Sequence, residues 1–214
     1  MSDVILMSDP RVAAVPVDDC DEPLVDVGSD GEILVDDRRR DPAGDFRMVR
    51  RGVHERIHHA QRLLPAGMRF LFVEGYRPPS LQRRHFEEYA ATLATAQPDL
   101  SGDQLHAAAS RYVSPPEIAP HSAGAAVDLT LADAEGRELD LGTRVNANPE
   151  ESSGACYMAA SSISDECRTR REVLAAALTG AGLVNYATEW WHWSYGDRYW
   201  ALTSGAPAAV YGPA

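Results

Sequence analysis

Between Phe46 and Leu64 the apolar residues Val49, Val53, Ile57, Ala60 and Leu64 recur three and four apart. That spacing predicts a helix over 46–64 with one buried stripe, stopped by Pro65-Ala66-Gly67. The pattern then switches to a dense apolar run, Met68–Glu74, which reads as a strand closed by Gly75. Helices are expected from Pro78 to about Ala96, from Asp103 to Val113 and from Ser164 to Ala181. Ser114–Pro120 carries three prolines and reads as extended loop. In Ala125–Leu131, Val127, Leu129 and Leu131 point one way and Ala126, Asp128 and Thr130 the other. Leu183–Thr188, Trp190–Tyr195 and Tyr199–Thr203 read as further strands, with a turn at Gly196-Asp197. The acidic, turn-rich segment 1–45 has short alternations at Val12–Val17 and Glu32–Val35 and reads as edge strands and loops. Arg38-Arg39-Arg40 reads as a solvated loop. Helices and antiparallel-looking strands alternate irregularly, which predicts an α+β fold. No repeat or linker interrupts the chain, so one domain over 1–214 is expected.

Composition narrows the possible chemistry. A chain of 214 residues buries about 70% of its unfolded surface and needs no disulfide or metal merely to fold. Lys+Arg is 20 and Asp+Glu is 32, a formal net charge of -12. That argues against a nucleic-acid partner and against an anionic membrane. All the basic residues are Arg, so a Schiff-base, P-loop or kinase-type lysine is excluded. Cys20, Cys156 and Cys167 form no close pair and read as reduced thiols. The first residues lack a basic segment, and no run approaches the roughly 18 apolar residues of a membrane helix. A cytoplasmic protein is expected.

The seven histidines separate into two groups. His54-Glu55-Arg56-Ile57-His58 fits the helical zinc motif His-Glu-x-x-His. However, both histidines sit one residue off the Val53/Ile57 stripe, beside Arg50, Arg51 and Arg56. They therefore read as a chance match on a solvated helix flank. His59, His85 and His106 read as surface residues. His121 and Asp128 are different. A carboxylate at the centre of an apolar strand is costly unless it is paired or binds a metal. A turn at Gly124 would bring His121 to the face of Asp128. His192 follows Glu189-Trp190-Trp191, with Trp191, Trp193 and Tyr195 expected on a core face and Trp190, His192 and Ser194 opposite. Two His and one Asp make a three-ligand zinc site with an open fourth position. Glu189 is then the candidate acid/base. Arg77, at a strand–helix junction, is the candidate oxyanion stabiliser. The connection 142–162 is long and irregular, as functional or mobile loops are.

Glu-Gly-Tyr-Arg77-Pro, His121-x-x-Gly124-x-Ala126-x-Asp128 and Glu189-x-Trp191-His192 occur in this order. Over residues 46–203 the chain resembles the VanX-type D-alanyl-D-alanine dipeptidases, which share a fold with D,D-carboxypeptidases and the Hedgehog amino-terminal domain. The resemblance implies a central, mainly antiparallel sheet flanked by helices, with 46–203 as the catalytic core. It implies one Zn²⁺ per chain on His121, Asp128 and His192, Glu189 as general base and Arg77 as the transition-state arginine. Arg77, Asn146 and Trp190 are the expected substrate contacts. The implied activity is zinc-dependent hydrolysis of a small peptide, D-alanyl-D-alanine or a related dipeptide, linked to peptidoglycan. Two positions depart from the family pattern. Ala119 stands where the family often has Ser. Asn146, after Gly142-Thr143-Arg144-Val145, stands where the family has the Asp that pairs with the substrate amine. An amide lacks the charge-assisted strength of a carboxylate. Glu150 and Glu151 are the nearby replacements for that charge. The alternatives are a D,D-carboxypeptidase or amidase on a longer or amine-blocked peptide, and a non-catalytic zinc-bearing binding protein.

Overall fold

The computed structural model describes residues 4–214, so the first three residues of the segment 1–45 lie outside the described residues. In chain order the elements are α1 (Pro10–Ala14), β1 (Leu24–Asp26), β2 (Leu34–Val35), β3 (Met48–Arg50) and α2 (Arg51–Leu63). There follow β4 (Arg69–Glu74), α3 (Pro79–Ala96), α4 (Gly102–Ala109) and β5 (Ala126–Ala132). The last four are α5 (Asp165–Gly180), β6 (Val184–Asn185), β7 (His192–Ser194) and α6 (Arg198–Ser204). Five strands form one sheet in the order β2-β4-β5-β7-β6, in which only β2 and β4 run parallel. β1 and β3 form a separate antiparallel pair. The fold is α+β, a mainly antiparallel sheet flanked by helices, as expected.

Two faces of β5 divide the molecule. Val127, Leu129 and Leu131 join Phe70 and Phe72 of β4 in the core, with Val53, Ile57 and Ala60 of α2 and Leu174, Ala177 and Leu178 of α5. Each of the Val, Leu, Ile and Phe side chains contributes roughly 1.5–3 kcal/mol by leaving water. Asp128 lies on the opposite face. α3 packs on α4 and the turn after it through Phe86, Leu93, Ala109 and Val113, and Tyr89 and Tyr112 reach from this unit to a cavity that Asp128 also lines.

Four local expectations are corrected. The helix expected from Phe46 begins at Arg51. Phe46 lies in a 3₁₀ turn, and Met48–Arg50 pairs with β1. Gly75 N donates to Phe46 O, Tyr76 N to Met48 O, and Arg50 N to Gly124 O. Long-range pairing thus takes the backbone groups that a helix would have used. The first half of the Val12–Val17 alternation is helical: Asp9 accepts from Arg11 N at 2.9 Å and Pro10 opens the first turn. Only Val17 makes a bridge, to Ala209. Tyr199–Thr203 is helical, because Asp197 accepts from Tyr199 N at 3.1 Å and Trp200 N at 3.2 Å. The other two C-terminal strands shrink to Val184–Asn185 and His192–Ser194.

Candidate active site

Asp128 and His192 are direct cross-strand partners on β5 and β7. Asp128 Oδ1 lies 3.0 Å from His192 Nδ1 and 3.3 Å from His121 Nε2. His121 arrives from the 3₁₀ turn Pro120–Ala123, which ends at Gly124 with φ 65°. The reversal needs glycine for its conformation, and a Cβ there would have to displace the Leu24 side chain, whose Cδ2 would lie 2.3 Å away. His121 Nδ1 donates to the Gly75 carbonyl at 2.6 Å. That bond leaves Nε2 as the ring nitrogen that faces Asp128.

His121, Asp128 and His192 are all buried, and their donor atoms lie within 4.8 Å of one another. Two imidazoles and a carboxylate converging in this way fit a tetrahedral zinc with one position left open. Burial acts to raise the Asp128 pKa, but His121 and His192 outweigh it and hold the carboxyl far below the usual range.

Glu189 sits on a tight turn into β7: its N–H donates to Tyr186 O, and its own carbonyl accepts from His192 N. Asn185 Nδ2 donates to the Glu189 and His192 carbonyls, both at 2.9 Å. The carboxylate stands 3.8 Å from His192 Nδ1. Burial pushes its pKa well above the usual value, and the charge on Asp128 adds to this, while Arg77 opposes it.

Arg77 is buried and fully engaged along one side. Its Nε and one terminal nitrogen donate to Glu74 at 2.7 and 2.8 Å, and the other terminal nitrogen donates to Gln82 Oε1 at 2.9 Å. Gln82 is held in turn by Ser114 O. Arg77 N donates to His121 O at 3.1 Å, which ties the guanidinium segment to the histidine turn. Burial acts to raise the Glu74 pKa, but Arg77, then His121 and Arg39, hold it at about 2. Glu74 reaches this position through a bulge. The β4–β5 register shifts between Phe72 and Glu74, setting Glu74 opposite Asp128. Strict alternation would have placed it on the core face with Phe70 and Phe72.

These groups open on a cavity of about 270 Å³ lined by His121, Asp128, His192, Glu189, Arg77, Arg39 and Asn146, with α3 residues and the segment just after α4 around the rim. Arg39 is not a solvated loop residue, because its Nε donates to Glu74 at 3.1 Å. Asn146 has φ 63°, a left-handed conformation that Asn tolerates. With its amide nitrogen turned toward Asp128, it donates to Oδ2 at 3.2 Å, and its oxygen faces Arg39 Nε at 3.3 Å.

Trp190 does not line the cavity. It lies in the core with Trp191 and Trp193, and its Nε1 donates to Thr143 Oγ1 at 2.8 Å. The expected split of the tryptophans between two faces fails because only His192–Ser194 is strand. Glu150 accepts from the Tyr89 hydroxyl and Glu151 pairs with Arg144; neither lines the cavity. His85, read as surface, does line it.

Sequence reasoning missed Glu74, Gln82 and Arg39. Glu74 carried the same signal as Asp128, a carboxylate ending an apolar strand. Gln82 and Arg39 carried none: Gln82 is aimed at Arg77 by the distant Ser114 carbonyl, and Arg39 meets Glu74 only because of the bulge.

The family model described as D-Ala-D-Ala dipeptidase, peptidase M15, matches residues 42–204. The chain belongs to this family. It is therefore a metallopeptidase of the D,D-peptidase type. It is 28% identical over 221 residues to the D-alanyl-D-alanine dipeptidase of Synechocystis sp. (strain ATCC 27184 / PCC 6803 / Kazusa), covering 88% of this chain and 87% of that one. It is 30% identical over 128 residues to the D-alanyl-D-alanine dipeptidase of Escherichia coli (strain K12), covering 59% and 55%. Among solved structures it is similar to a zinc complex of an E175A mutant of the vancomycin resistance D,D-pentapeptidase VanY, at 18% identity and a TM-score of 0.41, covering 94% and 96%. In this M15 peptidase the buried His121–Asp128–His192 set is the candidate zinc centre.

Proposed function

We propose that this chain hydrolyses D-alanyl-D-alanine or a closely related dipeptide, with one zinc ion on His121, Asp128 and His192. The observation that carries the proposal is the convergence of Glu189 and Arg77 on the cavity lined by those three residues. A zinc ion there supplies Lewis-acid polarisation of the scissile carbonyl and lowers the pKa of water. Glu189, with its raised proton affinity, takes a proton from the attacking water and delivers it to the leaving amine. Arg77, held by Glu74 and Gln82, presents a fixed cation to the oxygen that gains negative charge. The rigid pairing means that little reorganisation is needed as charge develops.

Asn146 favours a second reading. It is neutral and is engaged with Asp128 and Arg39, and it stands where the resemblance expects the acid that meets a free amine. A D,D-carboxypeptidase or amidase acting on an amine-blocked peptide needs no such acid. Single domain organisation, a cytoplasmic setting and a peptidoglycan-type substrate belong to the same proposal. The test is hydrolysis of free and N-acylated D-Ala-D-Ala, with and without a chelator. Zinc-dependent cleavage preferring the free dipeptide supports the first reading. Preference for the acylated peptide supports the second. No cleavage of either by zinc-loaded protein rejects both.

A further inference from the structure

The helical His-Glu-x-x-His sequence is not on a solvated flank. His58 is buried and His54 half-buried, and neither lines the catalytic cavity. Two of the three arginines expected to repel a cation there, Arg50 and Arg56, are turned to other partners, and Arg51 is exposed. Arg50 donates to the carbonyls of Ala123, Glu22 and Gly212, and the Arg56 guanidinium stacks 3.5 Å over the Tyr195 ring. The groups that face the two histidines come instead from the acidic turn between β1 and β2. His54 Nε2 and His58 Nε2 are 3.1 Å apart, and His58 Nε2 is 3.4 Å from Asp30 Oδ2. His58 Nδ1 contacts Glu32 Oε2 at 2.9 Å.

That last contact sets the chemistry. With Glu32 accepting the Nδ1 proton, the neutral His58 ring has only a lone pair at Nε2, directed at a second imidazole nitrogen and a carboxylate oxygen. A carboxylate behind an imidazole is the usual outer support of a histidine metal ligand. Zinc bonds of about 2.0–2.2 Å in tetrahedral geometry hold donor atoms roughly 3.3 Å apart, close to the two separations seen. We infer that Asp30 Oδ2, His54 Nε2 and His58 Nε2 form a second metal site, for Zn²⁺ or another late first-row divalent ion, with Glu32 orienting His58. The exposed Glu55 supplies none of the three donor atoms, and the site is a brace, not a second hydrolytic centre. It fastens the turn between β1 and β2 to the first half of α2, closing a long stretch of chain. The chain's capacity becomes two zinc ions where the sequence implied one.

The test is titration of the metal-free full-length chain with Zn²⁺ alone, reading stoichiometry by calorimetry and bound metal after gel filtration. Two zinc ions per chain are expected, falling to one in the His54→Ala/His58→Ala double variant with peptidase activity kept. The second equivalent raises Tm in the wild type but not in the double variant. Asp30→Ala, in an exposed turn, removes one ligand without altering the helix and is expected to weaken the second site at least ten-fold. One zinc per wild-type chain, or two in both proteins, overturns the inference and leaves a histidine–carboxylate hydrogen-bond network. So does an unchanged second affinity in Asp30→Ala.

Discussion

Asp128 and His192 face each other across β5 and β7, with Asp128 Oδ1 3.0 Å from His192 Nδ1. Glu74 on β4 is paired with the same Asp128 from the other side. Three adjacent strands thus carry Glu74, Asp128 and His192 in one row held by ladder hydrogen bonds, and His121 joins them from the 3₁₀ turn Pro120–Ala123.

Removing the Glu189 proton acceptor separates chemistry from metal binding. Glu189→Gln is expected to retain zinc, because Glu189 is not among the three ligands, while kcat falls about 10²–10⁴-fold. Metal content and steady-state rates on the same preparation check this. Unchanged turnover would falsify the assignment of Glu189.

Glu74 positions Arg77, so Glu74→Gln should act on kcat more than on zinc affinity. The guanidinium keeps Gln82 but loses its bidentate carboxylate. Loss of one partner of a buried ion pair costs about 3–5 kcal/mol of stability, measurable by urea unfolding. Recovery of kcat in Glu74→Asp would further support positioning.

The same pair gives a pH dependence. Glu74 is held at about 2 when folded, against 4.5 for the free side chain. Because the folded value is the lower one, its stabilisation is complete above about 4.5 and is lost as pH falls toward about 2. The integrated effect is roughly 3 kcal/mol. Unfolding free energies of the metal-free protein across this window should fall more steeply in the wild type than in Glu74→Gln.

Asn146→Asp restores a carboxylate beside the cavity, next to Arg39. The ratio of kcat/KM for free over N-acylated D-Ala-D-Ala should rise about ten-fold, the scale of a charge-assisted bond. An unchanged ratio would show that residue 146 does not meet the substrate amine.

Gly124→Ala forces a side chain into φ 65° and into Leu24. Destabilisation by at least about 1–2 kcal/mol is expected, together with weaker zinc binding through displaced His121. Calorimetric unfolding and zinc affinity read the two effects separately.

The sequence by itself determined the α+β class, helices α3 and α5, strands β4 and β5, and the candidacy of His121 and Asp128 as partners across the Gly124 turn. These follow from local rules: periodicity, a glycine turn, and the cost of a carboxylate in an apolar strand. Tertiary structure decided the rest. Met48–Arg50 became a strand because distant partners take its backbone groups, and Trp190 became core because the β7 strand is only three residues long. The bulge near Val73 turned Glu74 toward Asp128 and brought Arg39 with it. Asp30 and Glu32 reached His58 from a turn more than 20 positions away. Alternation and spacing report only a residue's own element. Which charges end beside one another depends on strand register and packing, and those are settled by contacts between segments far apart in the chain.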